Sequence, residues 1–463
     1  MRPCRTALLY RGLIRFGLAL APLAGRRRPK VREGLAGRAG ILERLARWAA
    51  SQRDPARPLL WMHAASVGEG RQAEAVLQLV RARHPEWQVA YTFFSPAAAE
   101  MARDLPADFS DYLPWDRRQD VNTALDALRP TALVFCKLDL WPELATAAAR
   151  RSTAVGLVAG TVSPGSRRLR WPARALLAPG YRVLALAGAI GPDDAARLVR
   201  LGVAAGRIEV TGDPRFDSAL QRARTVPRDH PLRRFGRSAP TLVAGSTWPQ
   251  DEAVVLRAYA AVRTVRPDAR LVVVPHEPTS AHLAGLDRAA RSAGLPNPLR
   301  LSGIPGGGGI EGREEFDGAA LVVDRVGVLP VFYADATIAY VGGGFGNRGL
   351  HSVLEPAAAG VPVLFGPAWQ GSPDAADLLR ARAAAVVASR FPDWLDLDSG
   401  TTLADASPLA ALWLALLRHP NHAQEAGRRG RICVEEGLGG ADRNAEIVER
   451  LMRGGRGTVN GER

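Results

Sequence analysis

The stretch HAASVGEG (63–70) places one carboxylate, Glu69, where a helix is predicted to begin. It follows the apolar run PLLWM (58–62) and precedes RQAEAVLQLVRAR (71–83), which has helical periodicity. The helix dipole stabilises a first-turn carboxylate by about 0.3–1 kcal/mol, so Glu69 could simply cap the helix. A carboxylate at the mouth of a strand-to-helix turn could also take a proton from a sugar hydroxyl. The spacing alone favours the cap.

A second candidate is GSTWPQDE (245–252), a strand end and turn followed by an acidic first helical turn. Hydroxyls and free backbone N–H groups at such a turn suit a phosphate or a carboxylate, which makes Ser246 and Thr247 candidate ligand residues. The alternative is that Thr247 is a plain N-cap. The pattern leaves both interpretations open.

The strongest candidate is VGGGFGNRGLHSVLEPAAAGVPVLFGP (341–367), where a strand enters a glycine-dense loop. A helix is predicted from about His351, and backbone without side chains at Gly343 and Gly344 lets an anionic ligand approach its N-terminus. Glu355, one turn further on, could meet a ribose hydroxyl. The alternative is a tight turn only, but so many glycines are destabilising without a reason.

Two other motifs predict less. GFGNRG (344–349) matches the dinucleotide fingerprint GxGxxG, but the acidic residue expected about twenty residues later, after the next strand, is absent from FGPAWQG (365–371). DLD (396–398) resembles a metal-binding pair but lies in a polar stretch, which favours a solvated loop. We therefore predict no metal and no cofactor.

From residue 58, short apolar runs alternate with Ala- and Arg-rich helical stretches, the pattern of βαβ units and parallel sheets. A proline- and charge-rich stretch interrupts the pattern once. We predict two doubly wound α/β domains, whose ligands bind beyond the carboxyl ends of the strands. The predicted segments are a basic N-terminus (1–56), a first domain (57–217), a connection (218–240), a second domain (241–440) and a C-terminal helix and tail (441–463).

The net charge of +15 is concentrated in residues 1–56, which hold thirteen basic and three acidic side chains. There ALLYRGLIRFGLALAPLAG (7–25) is apolar but carries Arg11 and Arg15 on one helical face. A spanning helix needs about 20 uninterrupted apolar residues, so a helix lying at the membrane surface fits better, with its arginines facing anionic headgroups. A cleaved signal peptide and nucleic-acid binding are the alternatives, disfavoured by the internal arginines and by the lack of a recognised module.

Composition bounds the remaining possibilities. The chain of 463 residues is 47% hydrophobic and 23% charged, so it can bury a core and is not disordered by composition. Its three cysteines, Cys4, Cys136 and Cys433, are widely separated and have no metal-ligand spacing. This favours a reducing compartment over a disulfide framework.

Together these motifs resemble the 3-deoxy-D-manno-octulosonic acid (Kdo) transferases of lipopolysaccharide synthesis. The resemblance extends over nearly the whole chain and rests on HAASVGEG, YLPWD (112–116), LWPEL (140–144), TGDPRFD (211–217), GSTWPQDE, VPHEPTS (274–280) and HSVLEPAAAGVPVLFGP (351–367). It implies a GT-B fold, in which two Rossmann-like domains face a cleft, the first for the acceptor and the second for the nucleotide-sugar. It also implies an inverting transferase that needs no metal.

By this resemblance Glu69 is the general base that deprotonates the acceptor hydroxyl. The implied partners are a CMP-activated sugar donor, a lipid A precursor and the anionic inner-membrane surface at its cytoplasmic face, and no nucleic acid is expected. The residues that match the family's nucleotide-contacting positions are Pro275, His276, Val326, Gly327, Val328, Ser352, Val353, Leu354 and Glu355.

The chain departs from the family pattern at several polar positions. His276 stands in place of an arginine, Ser352 in place of an asparagine, and Val328 where an acid is common. Lys137, Leu138 and Asp139 replace Glu-Thr-Glu, and Ala159, Gly160 and Thr161 replace Asn-Ala-Arg. The candidate base is retained, whereas several groups that would recognise the donor or its sugar are changed.

The predicted function is transfer of Kdo, or a related sugar acid, from CMP-Kdo to a lipid A precursor. One alternative is an NAD(P)-dependent oxidoreductase that uses GFGNRG. Another is a non-catalytic, membrane-bound nucleotide-binding relative whose changed polar groups report lost chemistry.

Overall fold

The computed structural model describes residues 5–237, 239–304, 319–388, 392–395 and 407–454. The chain divides into two compact units, unit 1 (Met1–Ser218 with Gly437–Arg463) and unit 2 (Ala219–Glu436). Each unit contains a sheet whose strands all pair in parallel. The prediction of two Rossmann-like α/β domains is therefore confirmed. The DLD motif lies outside the described residues.

Unit 1 begins with three helices and continues as alternating strands and helices. Its elements are α1 (Arg5–Arg27), α2 (Pro29–Arg38), α3 (Ile41–Gln52), β1 (Leu59–His63), α4 (Val67–Arg83), β2 (Gln88–Phe93), α5 (Ala99–Arg103), β3 (Phe109–Tyr112), α6 (Arg118–Leu128), β4 (Ala132–Cys136), α7 (Pro142–Arg150), β5 (Ala154–Gly160), α8 (Ala173–Arg182), β6 (Leu186–Ala189), α9 (Pro192–Leu201) and β7 (Ile208–Val210). The boundary between the units lies within α10 (Pro214–Thr225).

The strands of the sheet in unit 1 lie in the order β3-β2-β1-β4-β5-β6-β7. All of them are parallel, but β2 and β3 are added on one side of β1 and β4 to β7 on the other, so the strand order reverses between β1 and β4. Its central strands are continuous apolar runs because both faces of a parallel sheet are covered. Trp61 and Phe135 pack on one face with helices that include α3 and α6, and Met62 and Val134 pack on the other with α4. Ligands of such sheets bind beyond the strand ends at the point of reversal.

Unit 2 repeats this organisation. Its elements after α10 are α11 (Arg234–Arg237), β8 (Thr241–Thr247), α12 (Pro249–Val265), β9 (Arg270–Pro275), α13 (Ser280–Ser292), β10 (Leu299–Arg300), β11 (Leu321–Val322), α14 (Leu329–Tyr333), β12 (Ile338–Val341), α15 (Leu354–Ala358), β13 (Val363–Phe365), α16 (Pro373–Arg380), β14 (Ala384–Val386), α17 (Pro408–Arg418) and α18 (Pro420–Glu436). The sheet order is β10-β11-β9-β8-β12-β13-β14, so the reversal lies between β8 and β12.

The last helix, α19 (Gly440–Gly454), belongs to unit 1 although it follows unit 2 in the chain. Its fully buried Asn444 accepts hydrogen bonds from the Ala159 amide at 2.9 Å and the Thr211 hydroxyl at 3.2 Å. At the start of the helix, Asp217 accepts from the Gly439 amide at 2.9 Å. The TGDPRFD motif, which supplies Thr211 and Asp217, therefore holds the C-terminal helix on the sheet of unit 1.

Helix α1 carries exposed apolar side chains along its length: Leu8, Leu9, Leu13, Phe16, Leu20 and Leu23. Arg11, however, donates two hydrogen bonds to Glu143, at 2.8 and 2.9 Å. The prediction that Arg11 faces lipid headgroups is therefore wrong, because its charge is paired within unit 1. Thr6–Arg27 is long and apolar enough to cross a membrane, judged by length and composition alone. A signal sequence near an N-terminus meets the same two criteria.

Two glycines of α18 provide a test of the packing beneath α15. A Cβ at Gly427 would overlap the backbone carbonyl of Gly360, whereas a Cβ at Gly430 would meet only ordinary contacts at 3.4 Å or more. We expect Gly427→Ala to lower the free energy of unfolding by about 1–3 kcal/mol through overpacking. Gly430→Ala should stay within about 1 kcal/mol of the parent protein, since alanine favours the helix. Urea denaturation followed by tryptophan fluorescence measures both, and equal losses would contradict this packing.

Candidate functional site

Glu69 lies in the first turn of α4, beyond the end of β1 and at the reversal of strand order. Its Oε2 accepts a hydrogen bond from the Ala65 amide at 3.0 Å, and its Oε1 lies 3.9 Å from Nζ of Lys137. The N-cap residue, Ser66, makes no side-chain capping bond. The Glu69 side chain remains 16% exposed. The bond from Ala65 engages only Oε2, so it leaves the catalytic role of Glu69 as a prediction that concerns Oε1.

The glycines on either side of Glu69 have different consequences. A Cβ at Gly68 would meet no atom within 4 Å, so a side chain could be accommodated there. A Cβ at Gly70 would overlap the Met101 side chain and lie 3.0 Å from the Tyr91 hydroxyl oxygen. The missing side chain at Gly70 therefore allows α4 to pack closely, whereas packing does not require glycine at Gly68.

Lys137 lies directly beside the candidate base. It follows β4 with φ of 63°, in the left-handed region, and its amide donates to the Val158 carbonyl at 2.9 Å. Its side chain is 44% exposed, so the ion pair with Glu69 contributes at most about 1 kcal/mol to stability. Lys137, which stands where the family has a glutamate, therefore places a positive charge within reach of any group that binds at Glu69.

A buried polar group in the same loops was not singled out from the sequence. Nε2 of His63 lies 2.9 Å from Oδ2 of Asp139, and its Nδ1 lies 2.9 Å from the Thr92 carbonyl oxygen. Trp141 Nε1 donates to Asp139 at 3.0 Å, and an Arg168 nitrogen lies 3.9 Å away. Burial raises the pKa of Asp139, but His63, Trp141 and Arg168 outweigh it and hold that pKa below its usual value. His63 was visible in HAASVGEG; its partner was not.

In unit 2, three rings converge beyond the ends of β8, β9 and β12. The ring centroids of His276 and His351 are 4.2 Å apart, and those of Trp248 and His276 are 4.9 Å apart. Trp248 Nε1 donates to Nε2 of His351 at 2.9 Å, so that nitrogen carries no proton. The guanidinium of Arg348 lies 4.6 Å from the centre of the Trp248 ring. Such a surface can stack on a nucleobase, and the guanidinium of Arg348 can pair with a phosphate.

The backbone brings several predicted ligand residues together here. The His276 amide donates to the Thr247 carbonyl at 3.0 Å, and Pro275 lies buried at the end of β9. Ser246 is half-buried, with φ of 54°. The Thr247 hydroxyl, however, is buried and donates to Glu252 at 2.9 Å.

The turn into α12 has a different cap from the one considered. The N-cap is Trp248, whose amide donates to Asp251 at 3.0 Å. The interpretation of Thr247 as the N-cap is therefore wrong. Asp251 also accepts from the Tyr340 hydroxyl at 2.8 Å and the Gly343 amide at 2.9 Å, so it joins the two loops at the reversal of the sheet.

The helix predicted from about His351 begins instead at Leu354. Val353 and Leu354 are buried, whereas Ser352 is exposed. Glu355, predicted to meet a ribose hydroxyl, forms an ion pair with Arg222 at 2.8 Å. In the loop after β11, Val326 and Gly327 are exposed and Val328 is half-buried.

Close backbone packing explains three of the glycines in the loop after β12. A Cβ at Gly342 would overlap Ser246, a Cβ at Gly343 would overlap Gly349, and a Cβ at Gly344 would lie 2.5 Å from the Gly366 amide nitrogen. Gly343 also has φ of 95°. A Cβ at Gly346, by contrast, would meet only Gln250, at 3.7 Å. The approach of an anionic ligand to this loop stays a prediction.

The same loop disfavours the dinucleotide interpretation. GFGNRG does not open a helix, because the next helix begins at Leu354, five residues after Gly349. The fingerprint works only where its glycines lead directly into a helix whose N-terminus meets the pyrophosphate.

Comparison with known proteins agrees with both units. The family described as 3-deoxy-D-manno-octulosonic-acid transferase (kdotransferase) matches residues 39–218. A 3-deoxy-D-manno-octulosonic acid transferase of Bordetella pertussis is 31% identical over 88% of this chain and 90% of its own length. The chain belongs to the Kdo transferase family. It is accordingly a glycosyltransferase, and the family resemblance inferred from the motifs is confirmed.

More distant members and folds extend the match. The Kdo transferase of Chlamydophila psittaci is 27% identical over 85% of this chain and 86% of its own length. The crystal structure of UDP-GlcNAc 2-epimerase from Neisseria meningitidis has a TM-score of 0.56 at 12% identity, covering 86% of this chain and all of the other. That likeness concerns the fold alone and supports the assignment of two Rossmann-like domains of the GT-B class.

His351 provides a pH test of the ring cluster. Burial, together with the charge of nearby His276, lowers the pKa of His351 to about 4. Below about pH 6.5 the unfolded chain binds a proton that the folded protein does not bind until about pH 4. We therefore expect the stability of unit 2 to fall as the pH drops through that window. NMR of ¹⁵N-labelled histidines, assigned with His351→Gln, should show Nε2 of His351 unprotonated at pH 5.5; an ordinary titration would contradict the geometry.

Proposed function

We propose that this chain is an inverting transferase that moves Kdo, or a related sugar acid, from CMP-Kdo to a lipid A precursor, with Glu69 as the general base. The single observation that carries the proposal is the position of Glu69. It is a partly exposed carboxylate at the strand-order reversal of unit 1, held by the Ala65 amide at one oxygen and 3.9 Å from Lys137 at the other. The relatives that match most of the chain are Kdo transferases.

The chemistry assigned to Glu69 is proton removal from an acceptor hydroxyl as that oxygen attacks the anomeric carbon of the donor. The bond between that carbon and the phosphate oxygen breaks as the new bond forms, so CMP leaves and Glu69 keeps the proton. A general base must lie within hydrogen-bond reach of the proton that it takes. Because Oε2 is engaged by Ala65, Oε1 is the oxygen that we assign to this step. Lys137, 3.9 Å from Oε1, supplies a cation where the carboxylate of a sugar acid could bind.

We assign binding of the CMP portion to unit 2. The rings of Trp248, His276 and His351 offer a stacking surface, and Arg348 and His276 offer positive or titratable charge for the phosphate. His276 stands where the family usually has an arginine. We therefore expect donor binding to depend more on pH than it would with a guanidinium.

The exposed apolar residues of α1 support a location at the inner membrane, on its cytoplasmic face, where a lipid-linked acceptor would be met. Arg15 and the run Arg26–Arg28 add charge for anionic headgroups. We propose that α1 associates with this surface. Because Arg11 is paired with Glu143, that residue does not contribute.

Replacing the base tests the catalytic assignment. We expect Glu69→Gln to lower kcat for transfer from CMP-Kdo to a lipid A precursor by about 10²-fold or more, because the amide cannot accept the proton. The matched control is Glu74→Gln on the same helix, which removes a carboxylate that pairs with Arg71 at 2.8 Å. The control should keep near-parent activity. Equal rates for Glu69→Gln and the parent would remove Glu69 from this role, and no transfer by the parent would favour the non-catalytic alternative.

Nucleotide preference tests the donor assignment independently of turnover. A ligand present at 100 times its Kd stabilises the folded state by about 2.7 kcal/mol. We expect CMP to raise the thermal midpoint more than UMP or GMP, and cytidine, which lacks the phosphate, to raise it less than CMP. A larger shift with UMP would overturn the assignment of the base, and saturable NAD(P) binding would revive the oxidoreductase alternative.

A further inference from the structure

Unit 1 contains an apolar pocket that has no part in the roles proposed for Glu69, Lys137 and unit 2. It has a volume of about 450 Å³ and lies between α1, α2 and the loops that follow β2, β3 and β4. One wall is formed by α1, and the opposite wall is formed by aromatic side chains of the domain. The residues that line it include Leu13, Gly17, Leu18, Phe94, Trp115 and Trp141.

The shape of the pocket depends on small residues of α1 and rings opposite them. A Cβ at Gly17 would meet no atom within 4 Å, so the helix leaves space where a side chain would stand. Across the pocket, the rings of Phe94 and Trp141 stack with centroids 5.4 Å apart, and Trp115 packs edge-on against Phe94 at 6.2 Å. Aliphatic and aromatic walls of this kind favour an apolar occupant.

Two of the three charged residues that line the pocket, Arg38 and Asp116, have partners within unit 1. Arg38 donates to the Gly34 and Phe94 carbonyls at 3.0 and 2.7 Å, and its guanidinium lies 4.0 Å from the Phe94 ring centre. Burial lowers the pKa of Arg38 to about 10. Asp116 accepts from the Tyr10 hydroxyl at 2.7 Å and the Leu144 amide at 2.8 Å. A ligand therefore need not satisfy either charge.

Hydrogen bonds connect the aromatic wall of the pocket to the candidate base, Glu69. The amides of Phe94 and Ser95 donate to the Ala65 carbonyl at 3.1 and 2.7 Å. The amide of the same Ala65 donates to Glu69. On the other side, Trp141 donates to Asp139, the partner of His63. A molecule that filled the pocket would thus end next to the residues that flank Glu69.

The surroundings of the pocket match a lipid that carries phosphate. The apolar side chains of α1 outside it are exposed, Phe16 to 66%. The basic run Arg26–Arg28 lies at the end of the same helix, and Lys30 lines the pocket. Apolar surface beside arginines complements acyl chains attached to an anionic headgroup.

We propose that this pocket binds one acyl chain of the lipid acceptor and thereby places the acceptor's sugar hydroxyl at Glu69. The proposal rests on the proposed function, because it specifies how that function's acceptor is held. The occupant is a chain of the acceptor itself rather than a chain of the surrounding bilayer.

Filling the pocket is the first test. Gly17→Leu puts a side chain into the open space, and leucine favours a helix more than glycine does. We expect kcat/KM to fall about tenfold or more for an acylated lipid A precursor and to stay unchanged for the same phosphorylated disaccharide with its acyl chains removed. The matched control is Gly12→Leu, an exposed position of α1 with equally open space and no part in the pocket. It should change neither rate. An equal loss with both substrates, or no loss with either, overturns the proposal.

A second measurement does not depend on turnover, so it separates failure of the pocket from failure of the proposed function. A tetraacylated, diphosphorylated disaccharide with a diazirine in one acyl chain is photolysed with the full-length protein, and labelled peptides are mapped. We expect labels on Leu18, Trp115 or Trp141 that Gly17→Leu removes, in the presence of excess phosphatidylethanolamine vesicles. Labels confined to the exposed Leu9, Phe16 and Leu20, or competed away by the vesicles, would show a bilayer contact and overturn the proposal. Pocket labelling without transfer would keep the pocket and reject the transferase assignment.

Discussion

The hydrogen bond from the Ala65 amide to Oε2 of Glu69 is the interaction on which the functional part of unit 1 depends. It fixes the carboxylate at the reversal of the sheet, where the ends of β1 and β4 leave a crevice. The Ala65 carbonyl receives the amides of Phe94 and Ser95, so the same residue connects the base to the aromatic wall of the apolar pocket. The turn at Ala65 thus positions both the candidate base and the wall of the pocket that would bind a lipid.

The sequence was sufficient for the architecture because parallel strands covered on both faces are continuous apolar runs. It was insufficient where pairing is long-range or the strand is half polar. FSDY, the edge strand β3, is only partly buried and gave no apolar signal. Arg11 was predicted to face lipid headgroups because its partner, Glu143, lies 132 residues away in the sequence. Asn444 gave no signal either, since its contacts with Ala159 and Thr211 depend on the complete fold.

The candidate site shows the same division. Glu69 could be singled out because a strand-to-helix turn is recognised from neighbouring residues alone and does not depend on contacts elsewhere in the chain. Of the ring cluster in unit 2, only His276 was predicted to contact the nucleotide. Its stacking with Trp248 and His351 was missed because the three rings come from separate loops. Glycine density is weaker evidence of a ligand than it was from the sequence, because Gly342 and Gly344 are also required by backbones that approach from the neighbouring loops.

The return of α19 to unit 1 has a consequence for biosynthesis. One face of the first sheet is completed by Asn444 and the apolar side of α19, which leave the ribosome only after all of unit 2 has been made. Unit 2 is continuous in sequence and can fold as soon as it emerges, whereas unit 1 must wait with apolar surface uncovered. The first domain is therefore completed last although its synthesis begins first, and a chain that ended near residue 436 would lack the helix that covers one face of the first sheet.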